Sequence, residues 1–312
     1  MKSRRQFIRN TGLTVASFLA AHPVLFAMEK EKPLKQLTIL HTNDVHSRLE
    51  AFAMDGSVNA GKGGVAARAA LIDKIRKETE QVLLLDSGDI FQGTPYFNIF
   101  KGEPEIKAMQ YMGYDACTMG NHDFDAGLEN FRDQMKGHAK FPLVISNYDF
   151  GNTVMENEYV PYKIFRKGSL EIGVTGVGIE LQGLVPENLY GSTKYLDPIV
   201  SANKAAYYLK KEKRCDLVIC LSHLGDKYSD NKVSDEILAK ESENIDLILG
   251  GHTHRFFDAP RIYQNKKGST VVVNQVGWGG LRLGRLDYSF SAAKPKNLDN
   301  NQSISIGKKE GE

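Results

Sequence analysis

Side chains that bind metals or move protons are concentrated in five short clusters: Asp44-Val45-His46, Gly88-Asp89, Asn121-His122-Asp123 with Asp125, His223, and His252-Thr253-His254. Each cluster alone has an ordinary explanation. Asp44 could cap a turn with His46 on the surface, and Gly88-Asp89 is a common turn pair. Asp123 or Asp125 could N-cap a helix starting near Leu128, and a lone His223 would suit a hydrogen-bonded core position. Together, however, they hold five of the eight histidines, and each follows an apolar run. Carboxylate beside imidazole suits borderline divalent metals such as zinc, manganese, iron or nickel. Because the clusters contain no Cys, a thiolate-rich structural zinc site is disfavoured. At a strand end, D-x-H and H-x-H place both side chains on one face, because strand side chains alternate. Of the other histidines, His41 ends the first strand and could support the site. His22 lies in the leader and His138 is expected in solvent.

Strands and helices must deliver these clusters to one place. Leu37–Leu40, Val82–Leu85, 115–119, Leu143–Asn147, Asp216–Leu221 and Ile245–Leu249 read as strands, several of them unbroken apolar runs of the kind buried on both faces. Helical spacing covers Val65–Lys77, 96–112, Leu128–Lys136 and Ser234–Ser242, and Pro198 opens a further helix to about Lys213. Tyr162–Arg166 and Leu170–Val177 form a hairpin across Lys167-Gly168-Ser169, and Thr270–Asn274 and Leu281–Phe290 are the last strands. Helix–strand alternation followed by antiparallel pairs gives an α/β fold with two mixed sheets covered by helices. No linker divides it, so residues 36–290 are expected to form one catalytic domain. The polar tail, 291–312, is expected to be disordered.

With 312 residues, the chain is long enough for a sizeable core. Its N-terminus has a separate purpose. Ser3-Arg4-Arg5-Gln6-Phe7-Ile8 followed by the apolar run Gly12–Ala21 reads as a twin-arginine export signal over residues 1–27, too short in its apolar part to span a bilayer. Cleavage after Ala27 would put Leu25 at a position that prefers small residues, so a retained anchor stays open. The expected location is the periplasm or another exported compartment, with no stable membrane span unless the signal is retained. The chain carries 40 basic and 38 acidic residues, and without Lys2, Arg4, Arg5 and Arg9 the balance is 36 against 38. That excludes a basic nucleic-acid binder by bulk charge. Cys215 and Cys220 flank an extended apolar run spanning roughly 16 Å, too far for a disulfide. With Cys117 they read as buried free thiols.

Taken in order, the motifs resemble those of the calcineurin-like metallophosphoesterases, in their 5′-nucleotidase branch. They are His41-Thr42-Asn43-Asp44-Val45-His46, Ser87-Gly88-Asp89-Ile90-Phe91-Gln92-Gly93-Thr94, Gly113-Tyr114-Asp115-Ala116, Gly120-Asn121-His122-Asp123-Phe124-Asp125, Gly250-Gly251-His252-Thr253-His254 and Asn274-Gln275-Val276-Gly277-Trp278-Gly279-Gly280-Leu281-Arg282-Leu283-Gly284. The likeness runs from about 36 to 290. It implies a four-layer αββα sandwich and an exported phosphohydrolase with two divalent ions, manganese, zinc, iron or similar. One ion would take Asp44, His46, Asp89 and His254, and the other Asp89, Asn121, His223 and His252. The ions would lie roughly 3.5–4 Å apart, and a hydroxide shared between them would attack phosphorus. His122 would assist at the phosphoryl oxygens or leaving group, held by Asp125. Asp123, where the family often has Glu, is given no ligand role.

The implied substrate is a small phosphate ester, a nucleotide by likeness, which places the chain in nucleotide catabolism. In two-domain 5′-nucleotidases a second domain supplies nucleoside and phosphate contacts. This chain stops just after the catalytic domain, so a separately encoded C-terminal substrate-binding domain could complete the site. Trp278, Phe91 and Tyr96 could stack a base or simply pack. Two rival readings are a thiosulfonate hydrolase of the sulfur-oxidation type, and a catalytic-like domain that works by docking a partner.

Overall fold

The computed structural model describes residues 35–291 and 296–307, so the expected export signal lies outside the described residues. In chain order the strands are β1 (Lys35–Thr42), β2 (Val82–Asp86), β3 (Ala116–Cys117), β4 (Tyr148–Asp149), β5 (Tyr162–Lys167), β6 (Leu170–Val177), β7 (Lys194–Tyr195), β8 (Leu217–Ser222), β9 (Leu247–Leu249), β10 (Arg261–Gln264), β11 (Thr270–Asn274), β12 (Arg282–Phe290) and β13 (Asn297–Ser305). The helices are α1 (Val65–Glu78), α2 (Pro95–Phe100), α3 (Glu103–Met112), α4 (Gly127–His138), α5 (Glu187–Tyr190), α6 (Pro198–Tyr207) and α7 (Asp235–Glu241). One sheet runs β13-β12-β1-β2-β3, the other β10-β11-β9-β8-β6-β5, and β4 pairs with β7 in a separate ribbon. Both large sheets mix parallel and antiparallel pairs.

Three apolar layers hold these elements together. Leu83 and Leu85 of β2 meet Ile219 and Leu221 of β8 and Leu247 and Leu249 of β9 between the two sheets. Val82 and Leu84, the alternate residues of β2, face Ile72, Ile106 and Phe131 of the helices on the first sheet. On the second sheet, Val218, Cys220 and Ile248 pack beneath Ala202, Ala206 and Leu238. The fold is therefore a four-layer αββα sandwich. Both faces of β2 and β8 are covered, which is why their sequences are unbroken apolar runs. Each fully buried Leu contributes about 1.5–3 kcal/mol. All three cysteines are buried free thiols.

Several expectations change. The stretch 96–112 is two helices, because Lys101 at φ 55° and Gly102 at φ 102° end the first, and Pro104 lies in the first turn of α3. A Cβ on Gly102 would lie 2.3 Å from the Phe91 ring, so glycine is required there. The stretch Leu143–Asn147 makes only isolated bridges. In place of a ladder, the Asn147 side chain bonds both the N–H and the carbonyl of Gly178, at 2.7 and 2.8 Å. The helix from Pro198 ends at Tyr207 and passes into a π-helical turn, Tyr208–Glu212.

The tail expected to be disordered contains β13, paired antiparallel along β12 from Ser289↔Asn297 to Arg282↔Ser305. Its Asn, Asp and Gln residues suit a sheet edge with one wet face. Leu298 and Ile304 are its apolar contacts with the core, too sparse to register as a strand by composition. Among the described residues, no helix is long and apolar enough to cross a membrane.

Candidate metal centre

The centre is built where strands of both sheets end. β1 and β2 lie parallel with Thr42 opposite Asp86, and their pairing continues as two loops side by side. Asp44 N–H donates to Gly88 O at 2.9 Å, His46 N–H to Asp89 O at 3.0 Å and Ser47 N–H to Ile90 O at 2.8 Å. From the second sheet, β8 delivers His223, and β9 leads into Gly250–His254. The Ser87 hydroxyl donates to Leu249 O at 2.7 Å and ties the two edges together. This is the carboxyl edge at which open α/β sheets bind ligands.

The period-two reason given for Asp44/His46 and His252/His254 fails. None of these residues is in a strand. Asp44, His46, Asp89, His252 and His254 all have positive φ, between 50° and 70°. Non-glycine residues rarely adopt this region, and each costs about 1–3 kcal/mol unless its surroundings enforce it. The left-handed turns, not strand alternation, aim these side chains inward.

Two groups of side chains converge. Ligand atoms of Asp44, His46, Asp89 and His254 lie within 4.8 Å of one another, as do those of Asp89, His223 and His252, so Asp89 is common to both. His254 Nε2 is 3.0 Å from His46 Nε2 and 3.3 Å from Asp44 Oδ1. Asn121 Oδ1 lies 2.9 Å from His252 Nδ1. His122 Nδ1 lies 2.9 Å from Asp125 Oδ2, and the His122 ring centroid is 5.3 Å from that of His46. The candidate ligands from the sequence, with His122 and Asp125, are thus brought together.

The donor set fits divalent ions. His223 Nδ1 lies 2.7 Å from the Ser87 carbonyl, which can only accept, so the ring proton is on Nδ1. In the neutral ring Nε2 would then carry a lone pair, and this buried atom has no hydrogen-bond partner. It is 3.1 Å from Asp89 Oδ2. A backbone carbonyl that fixes an imidazole in this way is common at metal sites.

The two carboxylates draw positive charge to this point. Burial would lower His223, but Asp89 and Asp44 push it up to about 10. Burial would raise Asp89, yet His223, then His46 and His122, hold its carboxyl well below the usual range. Burial lowers His46 despite the pull of Asp89 and Asp44, and burial with His223 beside it lowers His252 to about 4. Burial thus disfavours charge on His46 and His252, while Asp89 and Asp44 favour it on His223. His122 is raised by its hydrogen bond to Asp125.

Some contributing residues were missed. Asn43 donates to Asp44 Oδ2 at 2.7 Å and to Gly277 O at 2.6 Å. Gln275 donates to Gly251 O at 2.6 Å and accepts from Arg255 N–H at 2.5 Å, so it braces the His252–His254 turn. Asp123 accepts four backbone N–H bonds. The available signal was a side-chain acceptor or amide adjoining each ligand cluster.

Trp278 stacks on His254 with centroids 6.0 Å apart and 18° between planes. Phe91 is buried between Phe97 and Phe131 and packs only. The Tyr96 hydroxyl donates to Glu50 at 2.8 Å. His41, the other supporting candidate, is buried against Asn274 at 2.9 Å. Asp123 and Asp125 do not cap α4, whose first turn has no side-chain cap.

The model of the calcineurin-like phosphoesterases matches residues 37–256. The chain belongs to that family. Calcineurin-like phosphoesterases are metal-dependent phosphoester hydrolases, which accords with the donor set just described. A snake venom 5′-nucleotidase from Gloydius brevicauda is 36% identical over 274 residues, 82% of this chain and 45% of the relative. A Vibrio cholerae 5′-nucleotidase is 33% identical over 286 residues, 84% of this chain and 50% of the relative. The crystal structure of a 5′-nucleotidase precursor from Thermus thermophilus superposes with a TM-score of 0.79 at 31% identity, covering 88% of this chain and 55% of that one. This calcineurin-like phosphoesterase thus spans about half the length of the relatives it matches.

Proposed function

We propose that the chain is an exported dinuclear-metal phosphohydrolase acting on 5′-nucleotides or closely related phosphate monoesters. The observation that carries this reading is that Asp89 is common to both groups of candidate ligands, the arrangement a two-ion centre requires. Asp44, His46, Asp89 and His254 would hold one ion, and Asp89, Asn121, His223 and His252 the other. The bound ions would polarise the phosphoryl group and lower the pKa of water for in-line attack.

The remaining work falls to the protein. His122 is partly exposed beside His46, and Asp125 Oδ2 accepts a hydrogen bond from its Nδ1–H at 2.9 Å. When the ring is protonated, Nε2–H is free to donate to a phosphoryl oxygen or to the departing alkoxide. The same hydrogen bond raises His122 and keeps the donor proton in place. Nucleotides are the favoured substrates because the relatives carry that activity in their names. Export rests on the twin-arginine pattern, Arg4-Arg5. Contacts to the nucleoside from a substrate-binding domain beyond the matched part are what this reading favours, since each relative is about twice as long as that part.

The test is a hydrolysis screen of nucleoside monophosphates, sugar phosphates, phosphodiesters and thiosulfonates with manganese and zinc in turn. Chelator-sensitive release of phosphate from nucleoside monophosphates is expected. Turnover confined to thiosulfonates, or undiminished in chelator, would overturn it.

A further inference from the structure

The Asn121-His122-Asp123 turn grips Asp89 from two sides. The His122 N–H donates to Asp89 Oδ1 at 2.8 Å and fixes the carboxylate. Asp123 fixes the backbone behind that carboxylate. Its Oδ2 accepts the N–H of Asp89 at 2.9 Å and of Gly120 at 2.8 Å. Its Oδ1 accepts the N–H of Ile90 at 2.9 Å and of Phe91 at 3.1 Å. Three consecutive amides of the loop after β2 thus close around one carboxylate, a nest of the kind that binds anions.

The loop needs such a partner. Asp89 is held at φ 55°, a conformation that persists only where its surroundings enforce it. Beyond β2, the three amides have left the ladder, and their side chains are buried. Unpaired, those N–H groups would each carry a desolvation cost. Asp123 is itself fully buried. An amide in its place could accept on one oxygen only, and its nitrogen would point hydrogens at two N–H donors. The position demands a carboxylate.

We propose that Asp123 is a positioning residue that presets Asp89 between the two candidate ion sites before any ion binds. It touches no ion or substrate and acts through the backbone of Asp89. This rests on the dinuclear reading for its metal readout, but its geometric content can be tested without it.

The experiment uses the full chain in two arms. In the first, the native protein is stripped with chelator and amide exchange is followed. The Asp89, Ile90, Phe91 and Gly120 amides are expected to exchange as slowly as those of β2. Exchange at the rate of the open loop around Ser57–Asn59 would overturn the proposal. In the second arm, Mn2+ is titrated into native protein, Asp123→Asn and Asp123→Glu, with circular dichroism checking the fold. Loss of a group that holds a ligand in place commonly weakens metal binding about 10–100-fold, and that is expected for Asn. Glu keeps both oxygens and should bind more tightly than Asn despite its extra methylene. If the site merely needed filling, isosteric Asn would behave as native and Glu would be worse. That order would overturn the proposal. If Asp123→Asn fails to fold, the exchange arm on unmodified protein decides. A native protein that takes up neither Mn2+ nor Zn2+ would sink the dinuclear reading, while the exchange arm would still report on Asp123.

Discussion

Replacing Gly120 with alanine would add one methyl group between Asp89 and His223. Gly120 has φ −102° and ψ −177°, extended backbone that alanine adopts freely, so any loss comes from the methyl itself. Its Cβ would lie 2.2 Å from Asp89 Oδ1 and 2.5 Å from both Cε1 and Nε2 of His223. Non-bonded atoms settle at about 3.5–4.0 Å, so relief requires a shift of roughly an ångström. Neither neighbour yields easily, because Ser87 O holds His223 at 2.7 Å and His122 N–H holds Asp89 at 2.8 Å. Overpacking of this kind costs about 1–3 kcal/mol. Misplacing a reacting group by about 1 Å costs roughly 100-fold in rate.

Since Asp89 belongs to both groups and His223 to one, the His223 side should lose its ion first. Gly137→Ala is the control. Gly137 is in the last turn of α4 with nothing within 4 Å of its added Cβ. Alanine there should stabilise by up to about 0.5–1 kcal/mol and leave activity alone. The assay is kcat/KM on a nucleoside monophosphate with excess manganese, metal content by mass spectrometry, and thermal unfolding. Gly120→Ala with full metal content and kcat/KM within about threefold of native would refute the steric reasoning.

His122→Ala should lower turnover by about 10²–10⁴-fold, the usual worth of a placed proton donor, with metal content near native; parallel loss of metal would reassign His122 as a ligand. Chelation should lower the melting temperature, since a ligand at 100 times its Kd stabilises the native state by about 2.7 kcal/mol, and an unchanged melting curve would count against a tight centre. His41 supplies a pH test away from the ligands. Burial lowers it from 6.5 to about 3, so the folded protein keeps it neutral while the unfolded chain takes up a proton below 6.5. Its stabilisation is complete above 6.5 and is lost as pH falls toward 3, at up to about 1.4 kcal/mol per pH unit. Urea unfolding at pH 7 and pH 5 should show native protein losing up to about 2 kcal/mol more than His41→Gln, and equal losses would refute it.

The interior strands were legible because burial on both faces leaves a mark that needs no context. Val82-Leu83-Leu84-Leu85 alternates between two apolar layers, and no polar residue is tolerated in it. β13 was illegible for the opposite reason. Its partner is the outer edge of β12, and its hydrogen bonds are supplied by backbone that any composition carries. Polar content misled because it reports the wet face of an edge strand as readily as disorder. Leu143–Asn147 looked like a strand because it is buried, yet the Asn147 amide bonds Gly178 where a ladder would have run.

At the candidate site, which side chains would converge was legible and their backbone conformation was not. Asp and His at strand ends carried the chemistry in their types, but strand alternation is the wrong backbone for them. At φ 50–70° the candidate ligands hold a strained turn, and strain must be offset by bonds the motif does not spell out. Those bonds come from residues that coordinate nothing: Asn43, Gln275 and above all Asp123. The family resemblance gives Asp123 no ligand role, and its carboxylate is buried against backbone amides. Its acceptance of the Asp89, Ile90 and Phe91 amides explains why a carboxylate belongs one residue after His122. The turn that offers His122 to the cleft must also keep Asp89 in its left-handed bend, and a single buried carboxylate on that turn satisfies both requirements.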